Sequence, residues 1–108
     1  MPRHLLGEFE RTILVALIRL GENAYGVTIR QHLSDRLGRD VAIGAVYATL
    51  GRLQDKGYVS SSLGEPTPAR GGRAKRFFKI EAPGSEALNR TEREAALIGV
   101  VNPAWIRS

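Results

Sequence analysis

The sequence contains no cysteine, which removes disulfides and thiolate metal ligation as ways of holding the chain together. That absence fits a reducing compartment. Aromatic residues supply only 6% of the chain, so a core has to be assembled mainly from Leu, Ile, Val and Ala. There are two histidines, His4 and His32, and neither has a second ligand at metal spacing. His32, on the second helix of the reading below, is expected to be exposed or to serve as a cap. The longest apolar run, Ile13 to Ile18, falls far short of the ~20 residues that span a bilayer. The opening MPRHLLGEFERT carries acidic residues where a secretory signal keeps its apolar stretch. A soluble, cytoplasmic protein is expected. No nucleophile is spaced with a base and an orienting group, no glycine fingerprint for phosphate is present, and no carboxylate pair stands out. The chain is therefore not expected to be an enzyme or to carry a cofactor or metal. Internal repeats and low-complexity segments are also missing.

What remains is 108 residues, enough for one modest core, with a formal net charge of +5 and a pI near 10.2. Such a balance favours a polyanionic partner, and the position of the charge says more than its sum. Much of it lies after Gly64, where Arg70, Arg73, Lys75 and Arg76 face only Glu65.

Hydrophobic spacing gives four helices. Leu5 to Leu20 is the first: Phe9, Ile13, Ala16, Leu17 and Leu20 form one stripe, and Leu14 with Ile18 a second apolar edge. A helix apolar over so much of its surface is central or shared with another subunit. The second runs from Tyr25 to Leu37 on Ile29, Leu33 and Leu37. In the third, Ile43, Val46, Leu50 and Leu53 fall at spacings of three and four, so they are expected to face inward. Ala45, Ala48, Thr49, Arg52 and Lys56 fall on the opposite face, small at its start and basic at its end. Gly57 supplies a left-handed stop. Gly44 and Gly51 are costly inside a helix, at about 1 kcal/mol each relative to alanine. Close packing against another helix explains them equally as well as approach of the Gly44 backbone to a phosphate at the helix start.

Val59 and the pair Phe78 and Ile80 anchor two antiparallel strands. The loop between them holds Pro66, Pro68, Gly71 and Gly72 and cannot continue a strand. A fourth helix from Pro83 to Val100 presents Leu88, Thr91, Ala95 and Ile98 along one side as a packing seam. Pro103 stops it, leaving Ala104-Trp105-Ile106. Trp105 suits packing within or between subunits, or the lining of an aromatic ligand site.

A helix with a small outer face beside a basic hairpin looks like a winged helix-turn-helix that reads DNA. The fold expected is mainly α with a small β-hairpin wing: residues 1–81 form the DNA-binding unit and residues 82–108 a C-terminal dimerisation helix and tail. Residues near the start of a groove-inserted helix reach base edges. Ala45, Ala48 and the Thr49 methyl suit thymine methyls, and the Thr49 hydroxyl a base or phosphate. Tyr47 offers its hydroxyl to a phosphate, unless it packs in the core. Arg52 and Lys56 follow the backbone, and Arg70, Arg73, Lys75 and Arg76 enter the minor groove or track phosphates. A solvated charge run is the commoner meaning of such a loop, but its place after a helix-turn-helix pattern favours DNA contact. A protein-interaction module on the same scaffold is the rival reading, and it has no need of those four cations together. A small-molecule sensor is a third.

With these residues laid out, the chain resembles the PadR family of bacterial transcriptional regulators, from Leu6 to about Ile98. The likeness rests on Val46-Tyr47, Leu50, Arg52-Leu53 and Gly57 in and after the third helix, on Gly72-Arg73, Lys75-Arg76 and Phe77-Phe78 around the wing, and on Tyr25-Gly26. The family's Thr-x-x-Gly before the last helix stands here as Glu81-Ala82-Pro83-Gly84. The resemblance implies a homodimeric winged-helix repressor whose C-terminal helix makes much of the dimer, bound to a double-stranded DNA operator. It also implies a small aromatic effector of the kind some members bind at the dimer interface.

Overall fold

The structure, a computed structural model, describes residues 6–64 and 74–101, with side chains described as far as residue 97. Its elements are α1 (Glu8–Leu20), a 3-10 turn (Gly21–Asn23), α2 (Gly26–Leu37), α3 (Ile43–Asp55), β1 (Val59–Leu63), β2 (Arg76–Ile80) and α4 (Ala82–Val101).

Helix α1 begins three residues later than the apolar pattern suggests, and Leu5 lies outside the described residues. Glu10 reaches back to accept the Gly7 N–H at 3.1 Å, and Glu8 and Glu10 place negative charge in the first turn, where the helix dipole favours it. Ile13, Leu14, Ala16 and Leu17 are buried against α2 and α3, while Ile18 stays exposed. At the start of α2 the Thr28 hydroxyl accepts the Tyr25 N–H at 3.0 Å. Ile29 and Leu33 are buried, and Gly38 (φ 68°) ends the helix in the left-handed region. The turn that follows is tied back by Ser34, whose hydroxyl accepts the Val41 N–H at 3.1 Å. Val41 is thereby seated in the core.

Helix α3 buries Val46, Thr49, Leu50 and Leu53. This corrects two expectations. Ile43 is 41% exposed, and Thr49 is 2% exposed instead of lying on the outer face. The buried arc is the i, i+3, i+4, i+7 set counted from Val46, one turn later than the set counted from Ile43. Gly57 (φ 78°) closes the helix as expected: its N–H donates to the Gln54 carbonyl and the Tyr58 N–H to the Leu53 carbonyl, both at 2.9 Å.

Strands β1 and β2 pair antiparallel, Val59 opposite Ile80 and Leu63 opposite Arg76. Opposed residues share a face, so Phe78 points to the core with Val59, and Phe77 points to the outer side with Ser62. Just before α2, the chain adds a short third member to the sheet. Tyr25 bridges Phe77, and the Phe78 N–H donates to the Ala24 carbonyl at 2.9 Å. The wing is in this way anchored to the segment between α1 and α2.

Helix α4 starts at Ala82 with Pro83 in its first turn, where a missing N–H costs nothing. Glu81, standing where the family pattern has threonine, accepts a hydrogen bond from the Ser60 hydroxyl, and its N–H donates to the Tyr58 carbonyl at 2.8 Å. Gly84 lies directly on Tyr58: a Cβ there would stand 2.3 Å from the Tyr58 carbonyl oxygen. Ala87 and Leu88 belong to the central core. Further along, Thr91 accepts the Leu6 N–H at 3.1 Å, and Glu92 pairs with Arg11 at 3.0 Å. Among the described residues, no helix is long and apolar enough to cross a membrane, and no three His, Cys, Asp or Glu side chains gather as a metal site would need.

Candidate nucleic-acid interface

The surface of α3 opposite its buried arc is bare as far as Gly51, and Arg52 and Asp55 stand at its end. Gly44, Ala45, Ala48, Gly51 and Arg52 are exposed, and nothing stands within 4 Å of where a Cβ would sit at Gly44 or Gly51. Close packing therefore does not explain either glycine. Both leave the helix backbone open to a large partner. Beside this face stands Tyr47, 47% exposed. Its ring faces Phe78 at 6.4 Å, and its hydroxyl rests on Gly26, where a Cβ would be 2.1 Å from the Tyr47 oxygen. Tyr47 is thus neither a core residue nor a free one: its base is packed and its tip sits at the N-terminus of α2.

The cations divide in two groups. Arg52 donates to the Thr49 hydroxyl at 3.0 Å, and Lys56 pairs with Glu10 of α1 at 3.3 Å while lying 5.8 Å from the Tyr58 ring centroid. Both brace the end of α3 as well as charging it. The Thr49 hydroxyl, already buried and engaged by Arg52, is withdrawn from the outer face on which it was expected. At the base of the wing, the Lys75 ammonium lies 4.9 Å from the centroid of the Tyr25 ring, within cation–π range. Arg76 donates to the Ser61 hydroxyl across the sheet at 3.0 Å. Arg70 and Arg73 lie outside the described residues.

Of the seam assigned to α4, Leu88 is 7% exposed and packs inside its own chain, because the first turns of α4 close the core. The Thr91 hydroxyl is used by Leu6. Ala95 is exposed and Leu97, which the seam omitted, is 62% exposed. The Ile98 side chain and Trp105 lie outside the description.

Two further features were not legible beforehand. The Tyr25 ring meets Phe77 edge-on at 5.4 Å, joining the start of α2 to the wing. A groove of about 810 Å³ runs between the end of α1 and the sheet, lined by Leu17, Ile18, Phe77 and Lys79 among others. His32 is neither exposed nor a cap. It is half-buried beside a small cleft between α1 and α2 with Arg11 and Arg36, and burial, together with the positive charge of Arg36 and Arg19, lowers its pKa below the usual 6.5.

A family model described as the transcriptional regulator PadR-like family matches residues 13–90, from α1 into α4. The chain belongs to this family. No curated protein matches the sequence at a significant level. Among solved structures it is similar to a PadR-like transcription factor from Bacteroides fragilis, at 26% identity and a TM-score of 0.71, covering 89% of this chain and 88% of that one. A PadR-like transcriptional regulator from Bacillus cereus superposes with a TM-score of 0.73 at 19% identity, covering 93% and 92%. A PadR family transcription regulator from Clostridium difficile does so at 0.69 and 19%, covering 93% and 99%. The last two speak for the fold alone. The PadR winged helix accounts for the architecture described above: α2 and α3 form the helix-turn-helix, β1 and β2 the wing, and α4 the added C-terminal helix.

Proposed function

We propose that this PadR-like chain is a sequence-specific, DNA-binding transcriptional repressor that works as a homodimer. The observation that carries the reading is the bare outer face of α3, Gly44, Ala45, Ala48 and Gly51, with Tyr47 beside it; the exposed cations Lys75 and Arg76 stand at the base of the wing. A helix with so little side chain on one face lets its backbone sink deep into a major groove, where methyl contacts to thymine suit Ala45 and Ala48. Tyr47, Arg52 and Lys56 then meet phosphates along the groove edge, and Lys75, Arg76, Arg70 and Arg73 follow the adjoining strand.

The two units of the proposal are residues 1–81, which hold DNA, and residues 82–108, which pair copies. Thr91, Ala95 and Ile98 form the seam, Leu88 supports it from within the core, and the exposed Leu97 lies on another face of α4. A two-fold dimer places two α3 helices in successive major grooves, about 10 base pairs apart or a multiple of that. A small aromatic effector belongs to the same proposal: the groove beside α1 has the volume for one, and Trp105 of the C-terminal tail is the aromatic residue assigned to the dimer contact. Such a ligand changes operator affinity only by its differential affinity for the two dimer geometries.

The test is binding to a randomised duplex pool across a salt series, followed by sequencing of the retained DNA. Recovery of an inverted repeat with steep salt dependence is the expected result. Salt-dependent binding without enrichment rejects sequence specificity. No binding at low salt rejects the DNA reading and leaves a protein partner as the occupant of this scaffold.

A further inference from the structure

Tyr25 and Gly26 precede the proposed DNA-contacting elements in sequence, yet they touch both of them. Gly26 is buried under the Tyr47 side chain, with ideal Cβ positions 2.1 Å from the hydroxyl oxygen and 2.6 Å from Cζ. No residue with a side chain fits there without moving Tyr47 of α3. Its neighbour Tyr25 turns the other way. Its ring meets Phe77 of β2 at 5.4 Å and lies 4.9 Å from the Lys75 ammonium, while its backbone bridges Phe77. The Tyr25 N–H is fixed by Thr28, so the pair sits on the rigid first turn of α2. One dipeptide therefore holds a recognition-helix tyrosine on one side and the root of the wing on the other.

We propose that Tyr25 and Gly26 are the positioning residues of the DNA-binding surface: Gly26 seats the Tyr47 hydroxyl, and the Tyr25 ring holds the Lys75 ammonium at the wing base. The inference rests on the DNA-binding reading above. Neither residue carries a charge to a phosphate or an edge to a base. Each acts through a residue that does.

That indirectness gives the test. Binding of the duplex recovered from the random pool is measured by anisotropy over a salt series, with urea unfolding to confirm the fold of each variant. Lys75→Met removes one phosphate contact and lowers the salt slope by about 0.9. Tyr25→Leu, a change between two uncharged residues, should lower the slope by nearly as much, because it releases Lys75. Tyr25→Phe keeps the ring and should keep the slope. In the second arm, Gly26→Ala should weaken binding about tenfold and add almost nothing in a Tyr47→Ala background, the non-additivity expected of two groups acting as one. Should Gly26→Ala not fold, the Tyr25 arm decides alone. An unchanged slope in Tyr25→Leu, or multiplying losses in the Gly26→Ala/Tyr47→Ala pair, overturns the positioning roles. Parental binding by both Lys75→Met and Tyr47→Ala overturns the surface itself, and the positioning roles with it.

Discussion

Gly84→Ala is a one-methyl change on a helix and should be among the more damaging small substitutions in this chain. On propensity alone it would stabilise α4 by about 1 kcal/mol. The added Cβ, however, meets the Tyr58 carbonyl oxygen at 2.3 Å, the Tyr58 carbonyl carbon at 3.1 Å and Ile80 Cγ1 at 3.0 Å. Two of these three atoms are backbone, and the same carbonyl accepts the Glu81 N–H, so the strain cannot be relieved by turning a side chain. The first turn of α4 has to lift by about 1 Å, carrying Ala87 and Leu88 out of the core. Overpacking of this kind costs roughly 1–3 kcal/mol. Taking the upper half of that range, because backbone gives less than side chain, and subtracting the propensity gain of about 1 kcal/mol, the net loss is about 1.5 kcal/mol, or about 6 °C in Tm for a chain of this size. Gly51→Ala is the internal control: it is also helical, but nothing lies within 4 Å, and it should gain about 1 kcal/mol. Urea unfolding followed by circular dichroism, with all variants at one protein concentration, measures both. If Gly84→Ala proves as stable as the parent while Gly51→Ala behaves as expected, α4 is not pinned on Tyr58 and the packing argument is wrong.

Leu50 is fully buried at the centre of α3, so Leu50→Ala should cost about 2–5 kcal/mol by cavity formation, read in the same denaturation series. Thr49→Val should leave the base preference of the recovered operator unchanged, because the hydroxyl faces Arg52 inside the chain; a shifted sequence logo would contradict this. Tyr47→Ala and Arg73→Ala should each weaken duplex binding with the fold retained, and parental affinity in both would reject the proposed surface. His32 has a lowered pKa in the folded chain, so the unfolded chain takes up the proton first as pH falls. Its contribution is therefore absent above about pH 6.5, the ordinary value, and stability declines as pH drops below it toward the lowered pKa. His32→Gln should flatten that part of the stability–pH curve, and an unchanged curve would assign the decline to other groups.

Helical periodicity made the elements readable because each buried arc repeats over at least two turns. Ile29 with Leu33, Val46 with Leu50 and Leu53, and the Gly57 stop all fell where spacing put them. The misassignments concern edges. Ile43 shares the spacing of the buried set but sits in the first turn, where α3 overhangs the core; Thr49 completes the arc but is polar, and a hydrophobicity pattern passes over it. Leu88 was assigned to an intermolecular seam because one sequence does not say whether an apolar residue is covered by its own chain or another. The contacts of Gly26 and Gly84 leave no trace in any periodicity, since the information lies in a missing side chain. The sheet contribution of Ala24-Tyr25 is a single bridge, too short to alternate.

The ladder of the wing is closed at its open end by the Gly64 N–H, which donates to the Lys75 carbonyl at 2.7 Å. Among the described residues, the register of the hairpin, including the opposite facing of Phe77 and Phe78, is set at or below that bond. The connection beyond it can therefore be rewritten by insertion or deletion without disturbing the register, since doubling a loop costs only about 0.6 kcal/mol in closure entropy. A descendant of this chain could evolve a longer or shorter wing tip while inheriting the domain unchanged, whereas deletion of Lys79, between Phe78 and the fixed Glu81, would turn Phe78 out of the core.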